Sequence, residues 1–104
     1  MIGIIGGFGD IGCEVVKSLW MMGYRNLLVG GRHNNDMFHT QTEIKYQYID
    51  LNKQVGIENF VKKCKIIINC SGLSCNMTRV LILKIKEHGC SYIEPQFNRL
   101  LKDI

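Results

Sequence analysis

The 104 residues, 11.9 kDa of chain, supply one domain and one ordinary core, and are too few for two. Hydrophobic residues at 46% and charged residues at 21% exclude wholesale disorder, and no apolar run reaches the roughly 18 to 20 residues of a membrane-spanning helix. The net charge of +4 is scattered, apart from Lys62-Lys63-Cys64-Lys65, with no aromatic residues interleaved; this argues against nucleic acid and suits a small anionic ligand.

Met1 leads directly into an apolar run, Ile2-Gly-Ile-Ile5, that ends in glycines as a buried parallel strand does. With no charged leader before it, this reads as a natural start and not as a secretory signal. From about Asp10 to Met22 the period becomes helical, with Ile11, Val15, Val16, Leu19 and Trp20 on one face and Gly23 as the stop. Asn26-Leu-Leu-Val29 is a second strand closed by Gly30-Gly31. Between His33 and Thr42 the signal is poor, and Asn34-Asn35-Asp36 suits at most a short helix.

Ile44 to Ile49 alternates as a third strand. Residues 53–63, with Val55, Ile57, Phe60 and Val61, fit a helix capped by Asn52. Lys65 to Asn69 is a fourth strand. A helix from Ser74 to His88, apolar at Met77, Val80, Leu81, Leu83 and Ile85, ends at Gly89, and Ser91 to Glu94 makes a fifth strand. Strand and helix alternate throughout, and crossovers of this length join parallel strands. The expected architecture is a doubly wound parallel α/β sheet of about five strands with helices on both faces. The chain end, Arg99 to Ile104, stops in mid-pattern, and the lack of a sixth strand leaves an open sheet edge through which a homo-oligomer can form.

Five cysteines (13, 64, 70, 75, 90) form no C-x-x-C pair, and no histidine stands at ligand spacing from them. No metal site is expected, and reduced thiols point to a cytoplasmic protein. Cys13, Cys64, Cys75 and Cys90 read as packing residues, and His39 and His88 as surface positions.

Gly7-Phe8-Gly9-Asp10-Ile11-Gly12 matches G-x-G-x-x-G between the first strand and the first helix, the context in which this string binds a dinucleotide. Gly7 allows the tight turn, Gly9 lets the main chain approach a diphosphate, and Gly12 lets the helix lie close to the strand. The free N–H groups of the helix start attract a phosphate without a lysine. Asp10 either caps the helix and faces away or repels the diphosphate. At the end of the second strand, where NAD-selective folds carry an acid for the ribose, the chain has Gly31-Arg32-His33. A planar guanidinium at Arg32 can grip a 2′-phosphate through two hydrogen bonds, with His33 and the glycines leaving room, which favours NADP over NAD. Asp50 and Leu51, after the third strand, flank the adenine. Cys70, Ser71 and Gly72, after the fourth, lie at the carboxyl edge where ligands collect. Cys70 reads as a small buried residue and not as a nucleophile.

Ile4 to Gly12, Val29 to Arg32, Ile49 to Leu51, Ile67 to Gly72 and Gly89 to Glu94 fall in the order of the NADP-binding Rossmann domain of the saccharopine dehydrogenase family, which the chain resembles from residue 1 to about 95. That resemblance implies an oxidoreductase acting on a carbon–nitrogen bond of an amino-acid-like substrate. It also places Phe8 to Ile11 at the diphosphate and Cys70 to Gly72 on the nicotinamide side. Asp10 and Glu94-Pro95-Gln96 depart from the family pattern. Hydride transfer needs a second surface to hold the substrate, which this family carries in a later domain, so the expected function is a cofactor domain without a complete active site. A non-catalytic nucleotide sensor working with a partner chain is the alternative. A complete small reductase ranks third, because Tyr24, Tyr46, Tyr48 and Tyr92 have no lysine four residues on.

Overall fold

Alternate residues of the first strand, β1 (Ile2–Ile5), feed two different cores. Ile4 packs with Val16, Leu27, Val29 and Ile68, whereas Ile5 packs with Leu28, Phe60, Ile67 and Leu81. Side chains one apart on a strand point to opposite faces, so both faces of the sheet must be covered. The computed structural model describes residues 1–6, 9–32, 44–71 and 75–94, and shows what covers them. Helix α1 (Asp10–Met21) lies on one face through Ile11, Val15, Val16, Leu19 and Trp20. Helices α2 (Ile57–Val61) and α3 (Cys75–His88) lie on the other.

The remaining strands are β2 (Leu27–Gly31), β3 (Ile44–Tyr48), β4 (Ile66–Asn69) and β5 (Ser91–Ile93). All neighbouring pairs run parallel, in the order β3-β2-β1-β4-β5. This is the doubly wound, Rossmann-like sheet expected from the alternation. Among the described residues no helix is long and apolar enough to cross a membrane. Gly7, Phe8, His33, His39, Gly72 and Pro95 fall outside the described residues, as does the weak signal between His33 and Thr42.

The first helix ends as expected at Gly23, whose N–H donates to Trp20 O at 3.1 Å while Tyr24 N–H reaches Leu19 O at 3.0 Å. The Arg25 guanidinium closes the same end, with Nη1 2.6 Å from Trp20 O and its carbon 3.9 Å from the centre of the Trp20 ring. The second helix differs from expectation. Residues 51–54 form a turn, Asp50 and Val55 pair as an antiparallel bridge, and α2 starts only at Ile57 with Gly56, not Asn52, as its N-cap. Gly56 has φ +78°, and a Cβ there would lie 2.6 Å from Tyr48 O, so this junction admits only glycine. Val55 is therefore exposed, and so is Leu83 on the outer side of α3.

Phe60 is fully buried over two sheet glycines: a Cβ on Gly3 would come 2.6 Å from its ring, as would one on Gly30. Those two positions are glycine because the ring needs the space. Cys13 and Cys64 are buried and Cys90 packs against the core, as the sequence suggests.

Candidate functional site

In the strand order the chain leaves β1 toward β2 on one side and toward β4 on the other, so the sheet changes winding direction between β1 and β4. Open parallel sheets hold ligands outside the carboxyl ends of the strands at that switch. Here Ile5 is in register with Gly30 on β2 and Asn69 on β4, so the three strands finish level. A crevice of about 280 Å³ opens above them, lined by residues that include Gly6, Gly9, Gly31, Arg32, Asp50, Leu51 and Ser71.

Gly6 makes the turn out of β1. Its N–H donates to Gly30 O at 2.8 Å, and its own carbonyl accepts from Gly9 N–H at 3.0 Å. Its φ is +78°, and a Cβ would meet the backbone of Cys70 and Ser71 at 3.0 Å. Gly9 then serves as the N-cap of α1, with ordinary extended angles of φ −79° and ψ 175° and no side-chain cap. Asp10 is thus the first helical residue and not the cap, because Gly9 already holds the cap position. The first helical bond runs from Cys13 N–H to Gly9 O, 2.8 Å, which leaves the N–H groups of residues 10–12 ahead of the helix's own acceptors. At the head of a 12-residue helix these carry about half a positive charge. Ile11 contributes backbone there, its side chain packing under the helix, and Gly12 is buried.

The wall above β2 is Gly31 and the exposed Arg32. Tyr46 OH donates to Gly31 O at 3.0 Å and Ile49 N–H to the same oxygen at 3.1 Å, which fixes this rim. Burial, with a smaller contribution from Tyr48, raises the Tyr46 pKa. Beyond it, Asp50 is 5% exposed. Its carboxylate accepts from Lys53 N–H at 3.1 Å and Tyr48 OH at 3.4 Å, while its backbone pairs with Val55. Asp50 and Leu51 are thereby held at the mouth next to Asn52.

Above β4, Ser71 lines the crevice but Cys70 does not. The Cys70 side chain packs in the core beneath α1, where burial pushes its thiol up to about 11. A thiol so protonated at neutral pH is no nucleophile. Asn69, also buried, accepts from Ser71 N–H at 3.1 Å and from Ser71 OH at 2.6 Å through Oδ1. Its Nδ2 donates to Tyr92 OH at 2.9 Å, and Tyr92 OH donates to Glu94 Oε1 at 2.5 Å.

Of the expected site residues within the described part, Gly9, Gly31, Arg32, Asp50, Leu51 and Ser71 converge on one crevice; Ile11, Gly12 and Cys70 stand behind it. Ile5, Gly6, Ile49 and Asn52 line it too, although the sequence did not mark them as site residues. The doublet Gly6-Gly7 was the available signal for Gly6, since a strand leaving into a G-x-G turn needs a left-handed residue. Asn69, a lone amide ending an apolar strand, was the signal for the polar chain behind Ser71.

No protein-family model and no curated protein matches this sequence. Solved structures do resemble its fold. A mutated uronate dehydrogenase superposes with a TM-score of 0.73 at 15% identity, over 89% of this chain and 38% of its own. A nucleoside-diphosphate-sugar epimerase from Staphylococcus aureus gives 0.75 at 14% identity, over 89% and 36%. A short-chain dehydrogenase/reductase from Veillonella parvula, solved in complex with NADP, gives 0.72 at 13% identity, over 89% and 45%. The chain therefore spans less than half the length of each of these.

Proposed function

We propose that this chain is the NADP(H)-binding domain of an oxidoreductase. The observation that carries the reading is Gly9. Its backbone angles suit any residue, and among the described residues a Cβ there would meet only Gly6 O, at 3.4 Å, so neither strain nor packing against them accounts for a glycine. A ligand that must approach the uncapped start of α1 does account for it, and a diphosphate has the charge that this helix end favours. Arg32 across the crevice is the donor for a 2′-phosphate, and Asp50 and Leu51 flank the adenine. The Veillonella structure, solved in complex with NADP, and the uronate dehydrogenase support the same class of ligand by likeness of fold.

When bound, the nicotinamide supplies or accepts a hydride; this chain's own residues bind and orient the coenzyme. The substrate surface then lies in further polypeptide, in keeping with the greater length of the structures it resembles. A carbon–nitrogen bond of an amino-acid-like substrate is the reading supported by the resemblance to the saccharopine dehydrogenase family. The structural neighbours, dehydrogenases and an epimerase, support the broader oxidoreductase and epimerase class.

Calorimetric titration of the chain with NADPH, NADH and 2′,5′-ADP tests the proposal. NADPH and 2′,5′-ADP should bind and NADH should bind more weakly. Failure of all three to bind removes the reading, and equal affinities for NADPH and NADH remove the role of Arg32.

A further inference from the structure

The end of β4 is the part of the crevice where polarity is fixed by a chain of hydrogen bonds. A backbone N–H can only donate, so Ser71 N–H, 3.1 Å from Asn69, identifies the atom facing it as Oδ1. The amide nitrogen then faces Tyr92 OH, which must accept from it at 2.9 Å. The phenolic proton is left for Glu94, whose carboxylate can only accept. The two ends of the chain therefore agree on the direction of every bond in it. Asn69 is 5% exposed, so its amide cannot turn to water instead.

Ser71 OH also donates to Asn69 Oδ1, at 2.6 Å. Both protons of Ser71 thus point into the protein, and Cys70 N–H is likewise spent on Ile5 O at 2.8 Å. What Ser71 offers the crevice is the lone pairs of its hydroxyl. We infer that Ser71 is a specificity-determining residue that acts as an acceptor only, with Asn69, Tyr92 and Glu94 as its positioning residues, so that at the end of β4 Ser71 takes a hydroxyl or amide N–H and turns away phosphate oxygen. The inference rests on the coenzyme reading above and sharpens it: the anionic part of the ligand is left to the α1 side, and a ribose hydroxyl or the carboxamide lies against β4. Neither sequence position nor the fold alone distinguishes these, since a serine hydroxyl is ordinarily donor and acceptor both.

The test is calorimetric titration of the whole chain and two variants with NADP⁺, its nicotinic acid analogue, 2′,5′-ADP and inorganic pyrophosphate. Ser71→Ala should weaken NADP⁺ by about 3- to 10-fold, the worth of one neutral hydrogen bond, and leave pyrophosphate within about twofold. A loss shared by 2′,5′-ADP identifies the adenosine ribose as the donor. A loss shared only by NADP⁺ and its nicotinic acid analogue identifies the nicotinamide ribose, and a loss confined to NADP⁺ identifies the carboxamide. Asn69→Leu frees both Ser71 protons, so pyrophosphate should bind about 3- to 10-fold more tightly while NADP⁺ does not. Unchanged NADP⁺ affinity in Ser71→Ala, weakened pyrophosphate binding in that variant, or unmoved pyrophosphate affinity in folded Asn69→Leu overturns the inference while leaving the coenzyme reading intact. Absence of NADP⁺ binding to the unaltered chain removes both.

Discussion

Gly6 and Ser71 meet backbone to backbone across the point where the sheet reverses its winding: a Cβ on Gly6 would lie 3.0 Å from both the N and Cα of Ser71. The turn out of β1 thus lies directly against the end of β4. With φ at +78° as well, Gly6→Ala combines a left-handed penalty of roughly 1 to 2 kcal/mol with a contact against rigid backbone. The expected loss in urea unfolding is about 2 kcal/mol or more. A variant as stable as the parent would show that β1 and β4 do not meet here.

Gly9→Ala should behave in the opposite way. Its backbone is already in an ordinary region and its only new neighbour among the described residues is Gly6 O at 3.4 Å, so stability should change by less than about 0.5 kcal/mol. Coenzyme affinity should nevertheless fall about tenfold or more, because the methyl group occupies the approach to the helix start. Thermal melting and calorimetry on one preparation measure both, and an unaltered NADPH affinity would remove Gly9 from the site.

Arg32 stands exposed on the crevice rim. Arg32→Ala should cost NADPH about 1.5 to 3 kcal/mol, the range for hydrogen bonds to a charged group, and NADH little. Parallel titrations check this, and an equal loss for both coenzymes would mean that the guanidinium does not read the 2′-phosphate.

Phe60 and Gly30 form a packed pair, the position of a Gly30 Cβ being 2.6 Å from the Phe60 ring and 2.8 Å from Ile49 Cγ2. Gly30→Ala should therefore lose about 1 to 3 kcal/mol by overpacking. Phe60→Leu trims the ring that the new methyl strikes, so the double variant should be less destabilised than the sum of the two single ones. Strict additivity in denaturant unfolding would contradict the contact.

Burial pushes the thiols of Cys64 and Cys70 up to about 11 from an ordinary 9.0; at Cys64 the amino terminus opposes the rise while Cys90 adds to it. The folded chain thus keeps protons that the unfolded chain releases, so this contribution is fully present below about pH 9 and is lost as the pH rises toward 11. The loss is of order 2 kcal/mol per thiol. Urea midpoints at pH 8 and pH 10.5 should show the decline, with a smaller one in Cys70→Ala. An identical decline in that variant would place its thiol in contact with water.

What the sequence determined by itself is the alternation of elements and the residues at their ends. Runs such as Ile66–Asn69 and the face Ile11, Val15, Val16, Leu19 of α1 carry their own period; Arg32, Asp50 and Ser71 each follow a strand end within two residues, and Gly9 caps the helix that follows β1. Parallel strands finish on one rim, so order along the chain was enough to bring these four together. Tertiary structure alone decided the contacts whose partners share no local pattern. The Asp50–Val55 bridge displaced the start of α2 because pairing and the Gly56 turn outweighed a helical period spanning only a few residues. The left-handed Gly6 is explained by Ser71, and the polarity of Ser71 by Tyr92 through Asn69, 23 residues earlier than Tyr92 in the chain. Such pairs depend on which strands become neighbours, and that depends on how the whole sheet is wound.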